Sequence, residues 1–599
     1  MPHFVFVLGG GYSGLGKGIA AASISRLLKT RGFSVKPIKI DPYFNLGAGD
    51  QNPNEHGEVF VTEDGGEIDQ DFGHYERITG QPCSKDQNIT SGKIFTQVLD
   101  KSKNGKYLGK TVQLIPHVRN EVKNKIKDVA GTADIAVVEV GGTIGDDESL
   151  IVIRAISSML YEDNEKGTVV VLAPLIFNEA VGEAKTKIIQ NSISRLNELG
   201  IRADFLIVRL SNLELLDEKR KEKLKIFCNI SKSSIIADPD TSSIYELPIV
   251  FESQGFTDKI IARLGLQAKK PNWELYVRFV KHVTKTTRKI RIAYVGKYVS
   301  EGEGVHKDAY VSVEEAITRA LLEYGYLPEI IRVDAAACEK GIPKELKEVA
   351  GVIVPGGYGC RGLEGKINVI KFCRENKVPF LGLCLGLQMA VVEFARNVCS
   401  LQRAHTDEFD EEIPCDGGEH MVSILPEQEE LRKSQGFIGT QRLGDFACVI
   451  KSKKIRKMYE KVGRPDAYEE QKLKNLEKFR LGTTVPEDFL ILERHRHRRE
   501  VNPAYLKTLE DAGMNFAGIH RSADGTILAE IIELPEHPFF VATQAHPEFT
   551  STYLKPNPLF YGFAEAAIRF NLNKSFIAVE EVLKANFGLK RTETLNVDE

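Results

Sequence analysis

The sequence lacks the features that mark secreted, membrane-bound or nucleic-acid-binding proteins. Its nine cysteines are scattered without a CxxC pair, which argues against a disulfide framework or a zinc site and indicates reduced thiols. No run approaches the roughly 18 apolar residues of a membrane helix, and the start, MPHFVFVLGGG, has no basic region typical of a signal peptide. The net charge of −3 gives no argument for binding nucleic acid or an anionic membrane. We expect a cytoplasmic protein.

A glycine-rich loop near the N-terminus also lacks one residue of its usual pattern. The stretch GGGYSGLGKG follows the apolar run FVFVL, and its Gly11, Gly16 and Lys17 fit the G-x-x-x-x-G-K frame of a phosphate-binding loop. The next position normally carries a Ser or Thr hydroxyl that binds Mg²⁺, but here it is Gly18. Oxygen ligands must then come from elsewhere. The candidates are carboxylates in an acidic loop and one inside an apolar strand: Asp69, Asp71 and Glu139.

Apolar β-branched runs alternate with helical patterns in two parts of the chain, which predicts an α/β fold of two doubly wound domains. The expected boundaries are a first domain at 1–268, a basic linker at 269–289, a second domain at 290–572 and a tail at 573–599. An insertion at about 451–488 is rich in Lys and Glu, and Glu469–Arg480 is interpreted as a solvated helix or a flexible insertion.

The second domain contains a candidate cysteine nucleophile. Cys384 lies between Gly382 and Gly386 where a buried strand turns into a helix, the G-x-C-x-G form of a nucleophile elbow. A buried structural cysteine is the alternative. His546, at the end of another apolar strand, and Glu548 two residues later could serve as base and orienting group.

These motifs resemble the class I glutamine amidotransferases. The resemblance implies that Cys384 attacks the glutamine amide, with His546 as base and acid, Glu548 as its partner, and Gly356 and Gly357 near the oxyanion hole. In ERHRHRREVN it assigns Arg498 to the substrate α-carboxylate, and it assigns Glu408 to the α-ammonium. A solvated basic patch, or a metal site at His495 and His497, are the alternatives for that segment. The implied glutamine-binding residues are Gly357, Leu385, Gly386, Leu387, Gln388, Glu408 and Arg498.

Most of the chain is similar to the CTP synthase family, through blocks such as HGEVFVTEDGGEIDQDFGHYER, YLGKTVQLIPH and EVGGTIGDDES. The resemblance implies a P-loop domain related to dethiobiotin synthetase, in which ATP phosphorylates O4 of UTP and ammonia then displaces the phosphate. Glutamine would supply the ammonia through a tunnel, GTP would activate, and CTP would be product and feedback inhibitor. It also implies Mg²⁺ with ATP, no organic prosthetic group, and a homotetramer able to form filaments.

The same resemblance implies further site residues. For ATP they are Gly14, Leu15, Gly16, Lys17, Gly18, Ile19, Lys39, Asp71, Asp240 and Thr241. For UTP or CTP they are Ser13, Gln113, Asp146, Asp147, Glu148, Lys185, Lys187, Gln190 and Lys223. The metal ligands would be Asp71 and Glu139, and GTP-responsive positions would be Arg361 and Arg442 in GTQRLG.

Several positions depart from the family pattern without removing a catalytic group. KTKPTQ is replaced by KTKIIQ, Asp147 stands where an apolar residue is usual, and GGTMRLG becomes IGTQRLG. HRHRY becomes HRHRR, which adds Arg499 beside the glutamine site. These changes concern nucleotide affinity, feedback by CTP and activation by GTP.

Two other functions are compatible with parts of the pattern. Cobyric acid synthases also join a dethiobiotin-synthetase-like domain to a triad amidotransferase, but they amidate a corrinoid and the UTP blocks argue against them. A non-catalytic assembly protein would be expected to lose the nucleophile, the metal carboxylates or the P-loop lysine, all of which are present.

Overall fold

The computed structural model describes residues 2–180, 182–299, 308–408, 418–424 and 441–587, with side chains as far as 574. The chain divides into two compact units, Met1–Lys285 with Thr552–Leu554, and Thr286–Ser551 with Lys555–Glu599. Within the described residues, no helix is both long enough and apolar enough to cross a membrane.

The first unit is built on a seven-stranded sheet in which every neighbouring pair is parallel. Its strand order is β11-β10-β7-β1-β6-β2-β5, and β3–β4 and β8–β9 form two small hairpins. The strands of this unit are β1 His3–Gly9, β2 Val35–Asp41, β3 Val59–Val61, β4 Glu67–Asp69, β5 Asn88–Thr90, β6 Ile135–Val140, β7 Gly167–Pro174, β8 Ile176–Asn178, β9 Glu183–Lys185, β10 Phe205–Leu210 and β11 Ile235–Pro239.

Helices connect these strands, as parallel pairing requires. The strands β1 and β6 are almost entirely buried, which is typical of a parallel sheet covered on both faces. The α-helices of the unit are Lys17–Thr30, Pro53–His56, Asp71–Thr79, Ser91–Lys103, Arg119–Ala130, Leu150–Tyr161, Lys187–Glu198, Glu218–Cys228, Leu247–Ser253, Phe256–Leu264 and Glu274–Lys285.

The second unit contains a nine-stranded mixed sheet of order β13-β12-β14-β15-β23-β22-β21-β18-β19 and a small sheet of order β16-β17-β20. The large sheet is parallel from β13 to β23 and antiparallel from β23 to β19. The strands are β12 Lys289–Gly296, β13 Leu327–Asp334, β14 Gly351–Val354, β15 Phe380–Leu383, β16 Ala404–Thr406, β17 Glu419–Ile424, β18 Arg442–Ile450, β19 Phe489–His497, β20 Arg499–Val501, β21 Asn515–Arg521, β22 Ile527–Glu533 and β23 Phe540–Thr543.

Apolar cores lie on both faces of this large sheet. Alternate residues of β12 belong to different clusters, with Ala293 and Val295 in one and Ile292 and Tyr294 in the other. The α-helices of the unit, among the described residues, are Val311–Leu322, Leu363–Glu375, Leu385–Asn397, Lys453–Val462, Ala467–Asn475, Lys478–Leu481, Leu506–Asp511 and Pro558–Phe587.

One segment differs from the sequence-based expectation, and a second agrees with it in part. The basic stretch 269–289, expected as a linker, contains the helix Glu274–Lys285, whose Tyr276 side chain is fully buried. The stretch Glu469–Arg480 is two short helices in which most residues are exposed and only Glu469 is buried. Its interpretation as a solvated helix agrees with this exposure, and Glu469 is the exception. The tail end at 588–599 lies outside the described residues.

Candidate active sites

The glycine-rich loop joins β1 to the helix Lys17–Thr30 at the carboxyl edge of the seven-stranded sheet. From β1, the later strands are added to the sheet on both sides: β2 and β5 on one side, and β7, β10 and β11 on the other. Ligands of such parallel sheets bind at the carboxyl ends of the strands, at the point where the strand order reverses. Gly16 caps the helix with φ 90°, a left-handed conformation that favours glycine. Lys17 Nζ donates to the Gly142 carbonyl at 2.7 Å, and burial lowers the pKa of this lysine. An anion bound at the loop would stabilise its charge.

Position 18 has no room for a side chain, because a carboxylate already fills the space. A Cβ built on Gly18 would lie 1.9 Å from Oδ1 of Asp71, the first residue of the helix Asp71–Thr79. Asp71 therefore brings an oxygen to the place where the usual loop brings its hydroxyl. The missing hydroxyl has a structural explanation that the sequence motif alone does not contain.

Lys39 lies among four carboxylates at the same edge. The pairing of β2 with β6 sets Lys39 opposite Glu139, with Lys39 Nζ 3.6 Å from Glu139 Oε1. The same ammonium is 3.6 Å from Asp41 Oδ1 and 3.5 Å from Asp69 Oδ1. It also forms a very close ion pair with Asp71. The structure thus brings Asp71 and Glu139 together, and adds Asp41 and Asp69 to them.

Burial and the nearby Lys39 shift the pKa values of these carboxyls in opposite directions. Burial raises the pKa of Asp69 well above its usual range, and burial also raises the pKa of Glu139, although Lys39 opposes both shifts. Burial acts on Asp71 in the same direction, but Lys39, His74 and a hydrogen bond with Asp69 together outweigh it, and the pKa of Asp71 is lowered. Among the described residues no three His, Cys, Asp or Glu side chains form a ready-made cation cage. The excess of hard oxygen donors nevertheless fits Mg²⁺.

Some of the residues expected to contact the pyrimidine nucleotide lie in the glycine-rich loop or on the helix that begins beside it. The helix Lys187–Glu198 begins beside it, since a Cβ on Gly11 would lie 3.0 Å from Cγ2 of Ile188, one of the residues that depart from the family pattern. Ser13 is exposed in the loop itself. Gln190, on the same helix, donates from Nε2 to Thr186 Oγ1 at 2.9 Å.

The other expected pyrimidine contacts lie on several further elements of the first unit. Asp146, after β6, accepts the Thr143 N–H at 2.9 Å, and 146–148 are exposed. Lys185, in the β8–β9 hairpin, and to a lesser extent Lys223 lower the pKa of Glu183. Gln113 is exposed in a separate turn, where its N–H donates to His117 Nδ1 at 3.0 Å.

The two residues expected near adenine follow β11, at the edge of the same sheet. Asp240 pairs closely with Arg209, and Thr241 Oγ1 donates to the Ser243 carbonyl at 3.0 Å. Because all seven strands are parallel, these residues and the glycine-rich loop share one edge of the sheet.

In the second unit, Cys384 occupies a strained turn between β15 and the helix Leu385–Asn397. Its φ is 51° and its ψ is −104°, which is rare for a non-glycine residue and typical of functional sites. The flanking glycines are required for space: a Cβ on Gly386 would lie 2.1 Å from the Val354 carbonyl oxygen, and one on Gly382 would lie 2.7 Å from Ala542 Cβ. The Cys384 N–H donates to the Thr543 carbonyl at 2.7 Å.

The base reaches the cysteine because their strands are neighbours. β15 pairs with β23, opposing Leu383 to Thr543, so Cys384 and His546 leave the sheet side by side. His546 Nδ1 lies 2.7 Å from Glu548 Oε1. Burial opposes protonation of His546, but Glu548 and Cys384 outweigh it and raise its pKa to about 10.

Gly356 follows β14, the strand on the other side of β15, and lies next to both Cys384 and His546. A Cβ on this residue would lie 2.9 Å from His546 Cε1 and 3.7 Å from Cys384 Cβ. Three neighbouring strands therefore bring nucleophile, base and the expected oxyanion loop together. The structure assembles Cys384, His546 and Glu548 as a triad rather than leaving Cys384 as an isolated buried thiol.

The predicted glutamine contacts gather around the same elbow. Glu408 is buried, and its Oε1 accepts the Gly359 N–H at 2.6 Å. Arg499 is also buried, with Nη1 3.7 Å from Glu408 Oε1 and Nε closely paired with Asp407. Four of the expected contacts, at 385–388, form the first turn of the helix after Cys384. Arg498 is half-buried between β19 and β20.

The histidines of ERHRHRREVN belong to a buried ion-pair network. His495 Nε2 lies 2.7 Å from Glu530 Oε2, and His497 Nε2 lies 2.7 Å from Glu500 Oε1. Arg442 bridges the two carboxylates, with 2.8 Å to each. Because these side chains are buried, the alternative of a solvated basic patch is wrong for this part of the segment.

The two positions expected to respond to GTP differ in accessibility. The Arg361 side chain is 55% exposed while pairing with Asp334 at 2.5 Å, whereas that of Arg442 is only 8% exposed and is bound on both sides by carboxylates. Arg361 is available to a ligand, and Arg442 is placed as a structural ion-pair partner.

Some residues of these sites were missed by sequence reasoning. Asp41 ends β2, and Tyr75, within the GHYER block, donates a very short hydrogen bond to Glu139. Gln544, two residues before His546, has Nε2 3.7 Å from Cys384 Sγ. In the sequence, only their positions at a strand end or beside motif residues could have indicated that they belong to these sites.

Taken with the fold, these sites define a class of protein, a P-loop synthetase joined to a glutamine amidotransferase. The family model of the CTP synthase N-terminus matches residues 3–266, and that of class-I glutamine amidotransferase matches residues 305–566. The CTP synthases of Methanocaldococcus jannaschii and Archaeoglobus fulgidus are each 42% identical to this chain, over 94% and 95% of it and 98% of each relative. The chain therefore belongs to the CTP synthase family, and the expected family and α/β fold class are confirmed.

A solved structure is also similar to part of the chain. The glutaminase domain of Trypanosoma brucei CTPS with bound acivicin is 30% identical, covers 47% of this chain and 94% of that domain, and has a TM-score of 0.37.

Proposed function

We propose that this enzyme is a ligase that makes CTP from UTP, ATP and glutamine, with ADP, phosphate and glutamate as the other products. The observation that carries the proposal is the presence, in one chain, of a P-loop flanked by Asp71 and Glu139 and of a Cys384–His546–Glu548 triad, in a sequence that matches CTP synthases over nearly its whole length.

In the proposed glutamine half-reaction, His546 holds the proton taken from the Cys384 thiol, and the Cys384 thiolate attacks the carboxamide carbon. The N–H groups after the elbow and of the Gly356–Gly357 loop stabilise the oxyanion. His546 returns the proton to the leaving ammonia, and water then hydrolyses the thioester to glutamate. Glu548 supports this cycle by keeping the imidazole oriented and by stabilising its protonated form.

In the proposed synthetase half-reaction, the loop N–H groups and Lys17 bind the ATP phosphates while Lys39 stays beside the transferring group. Lys17 must exchange its bond with the Gly142 carbonyl for one with phosphate. Asp71 and Glu139 would hold Mg²⁺, which supplies positive charge to the transferring phosphoryl group. Once O4 of UTP is phosphorylated, ammonia adds at C4 and phosphate leaves.

We extend the proposal to regulation, assembly and location. GTP acting near Arg361, feedback by CTP and a homotetramer able to form filaments are supported by the family alone. The eight cysteines among the described residues are free thiols, which supports a reducing compartment such as the cytoplasm.

Substitution of the nucleophile tests the division of labour. We expect Cys384→Ala to abolish CTP formation from glutamine and to leave formation from ammonium chloride within about twofold, because only the first route needs the thiolate. CTP is measured from UTP, ATP and each nitrogen source. Cys399→Ala removes a partly exposed thiol outside the triad, and it should retain both activities. Loss of both activities in a folded Cys384→Ala enzyme, or conversion of a corrinoid instead of UTP, would contradict the proposal.

A further inference from the structure

The loop after β14 is held by side chains that the proposed mechanism does not use. Lys366, on the helix Leu363–Glu375, is 0% exposed, and its Nζ donates to the Pro355 carbonyl at 2.6 Å. The Tyr310 hydroxyl donates to the Gly356 carbonyl at 3.2 Å. Two successive carbonyls of this loop are thus bound by buried side chains from other elements.

These contacts determine where the loop N–H groups point. In a trans peptide the C=O and the N–H point in opposite directions, and both peptide bonds concerned are trans. A carbonyl bound by Tyr310 therefore turns the Gly357 N–H away from Tyr310. Among the described residues, no hydrogen bond uses the N–H of Gly356 or of Gly357. These donors remain available beside Cys384 and His546.

The Tyr310 hydroxyl is itself fixed in orientation. Its oxygen accepts the Lys297 N–H at 3.1 Å, so its proton is directed to the Gly356 carbonyl. Lys297 Nζ in turn donates to the Tyr358 carbonyl at 3.2 Å, further along the same loop. Lys366, Tyr310 and Lys297 together therefore bind the carbonyls of Pro355, Gly356 and Tyr358.

Burying the Lys366 amine carries a desolvation cost. Burial, with some contribution from Lys297, lowers the pKa of Lys366 well below its usual range. An apolar side chain of similar length would fill the space without desolvating an amine. Its hydrogen bond to the loop is the feature that an apolar residue could not provide.

We propose that Tyr310 and Lys366 are positioning residues that orient the Pro355–Gly357 peptides for oxyanion stabilisation in the glutamine half-reaction. The inference rests on the proposed function, because it assumes that this loop receives the oxyanion. It predicts that the two side chains affect the rate of glutamine hydrolysis without touching glutamine.

The test uses the full-length enzyme carrying Tyr310→Phe or Lys366→Met, each of which keeps the volume and removes the donor. Because a misaligned oxyanion donor costs rate rather than substrate binding, we expect the kcat for glutamine hydrolysis to fall about 10- to 100-fold with KM within about threefold. CTP formation from ammonium chloride should stay within about twofold. Alkylation of Cys384 by iodoacetamide, a displacement that forms no oxyanion, should keep its rate.

Tyr294→Phe is the matched control. Tyr294 is buried with its ring 5.4 Å from that of Tyr310, but its hydroxyl donates to Glu314 rather than to the loop. We expect this variant to hydrolyse glutamine normally. An equal loss in Tyr294→Phe, a loss confined to KM, or an equal loss of ammonia-dependent synthesis would overturn the inference. So would slower alkylation, which would mean that Tyr310 acts on the thiol. If Cys384→Ala abolishes glutamine use while both positioning variants retain kcat, the function stands and the inference is wrong.

Discussion

At the scale of single residues, Gly18 and Asp71 share one position in space. The usual phosphate-binding loop supplies a neutral hydroxyl from its own sequence, whereas here a charged carboxylate arrives from another helix and pairs with Lys39. The surroundings of the loop therefore depend on residues around 71 that are folded against it. Glycine at position 18 is the condition for that arrangement.

This contact predicts the effect of restoring the motif. Gly18→Ser recreates the familiar G-K-S pattern, but its Cβ would overlap Asp71 and displace the carboxylate. We expect CTP formation from ammonium chloride to fall about 100-fold or more, since positioning of the phosphoryl group provides most of the catalysis. Glutamine hydrolysis, measured as glutamate release, serves as the internal control. Normal synthesis by the serine variant would show that the hydroxyl and the carboxylate can coexist.

The raised pKa of His546 predicts a pH-dependent contribution to stability. A histidine whose pKa rises from 6.5 in the unfolded chain to about 10 in the folded one stabilises the fold fully below pH 6.5, and this stabilisation is lost as the pH rises toward 10. At about 1.4 kcal/mol per pKa unit the loss is at most several kcal/mol.

His546→Asn removes this titration. The difference in the free energy of unfolding between the parent and the variant should shrink from pH 7 to pH 10, as followed by urea denaturation. A difference that is constant across this range would mean that His546 is not held in its charged form.

The site residues that could be predicted from the sequence are those whose immediate neighbours form a recognisable pattern. Cys384 is flanked by glycines and His546 ends a strand, so each could be recognised from its neighbours. Tyr310 and Lys366 have no such signal, because each acts on a backbone carbonyl far away in the chain. The role of Gly18 depends in the same way on a contact with Asp71 that no motif describes.

At the scale of elements, the insertion 451–488 covers the edge strand β19. Arg464 Nη2 donates to the Leu492 carbonyl at 2.5 Å, and Glu469 Oε1 accepts the Leu492 N–H at 2.6 Å. Arg464 also pairs with Glu493 at 2.8 Å. Side chains of the insertion thus take the place of a further strand, which protects an edge that would otherwise be open to pairing.

The composition of the insertion predicts its exposed surface but not its contacts with β19. Many Lys and Glu residues indicate a solvated surface, as is found for most of Glu469–Arg480, whereas Glu469 and Arg464 pair with each other beside β19. The antiparallel strands β18 and β19 were also not predicted. The buried charges in β19 are balanced by partners on other strands, so its sequence does not look like a core strand.

The buried pair predicts a large effect on stability. Arg464→Met leaves two glutamates without their cation, and we expect a loss of about 3–5 kcal/mol in the free energy of unfolding. Arg456→Met breaks an exposed pair with Glu460 on the preceding helix, and it should cost no more than about 1 kcal/mol. Urea denaturation of both full-length variants gives the comparison. Equal small losses would show that the insertion is not held by Arg464.

At the scale of the whole molecule, the two expected sites lie in two units with separate sheets. The apolar runs of the parallel strands were sufficient to predict this organisation. The boundary was less visible, because the basic stretch expected as a linker folds into the helix Glu274–Lys285 and belongs to the first unit.

The separation predicts the behaviour of a P-loop variant. Lys17→Ala removes the cation expected to bind phosphate, and we expect CTP formation from either nitrogen source to fall about 100-fold. Glutamine hydrolysis should persist, because Cys384 and His546 lie in the other unit. Glutamate and CTP are measured in the same reaction. Equal loss of both products would mean that hydrolysis depends on an intact nucleotide site.

The adjacency of β15 and β23 has a consequence for biosynthesis. The nucleophile follows β15, but its base follows β23, which the ribosome makes long afterwards and which must insert beside β15 in the middle of the sheet. A nascent chain already holds the glycine-rich loop, the carboxylate cluster and the reactive cysteine, yet it has no imidazole to activate the thiol. A polypeptide that ends before β23 therefore lacks the base that glutamine hydrolysis requires, and ammonia release begins only after β23 and His546 have been made.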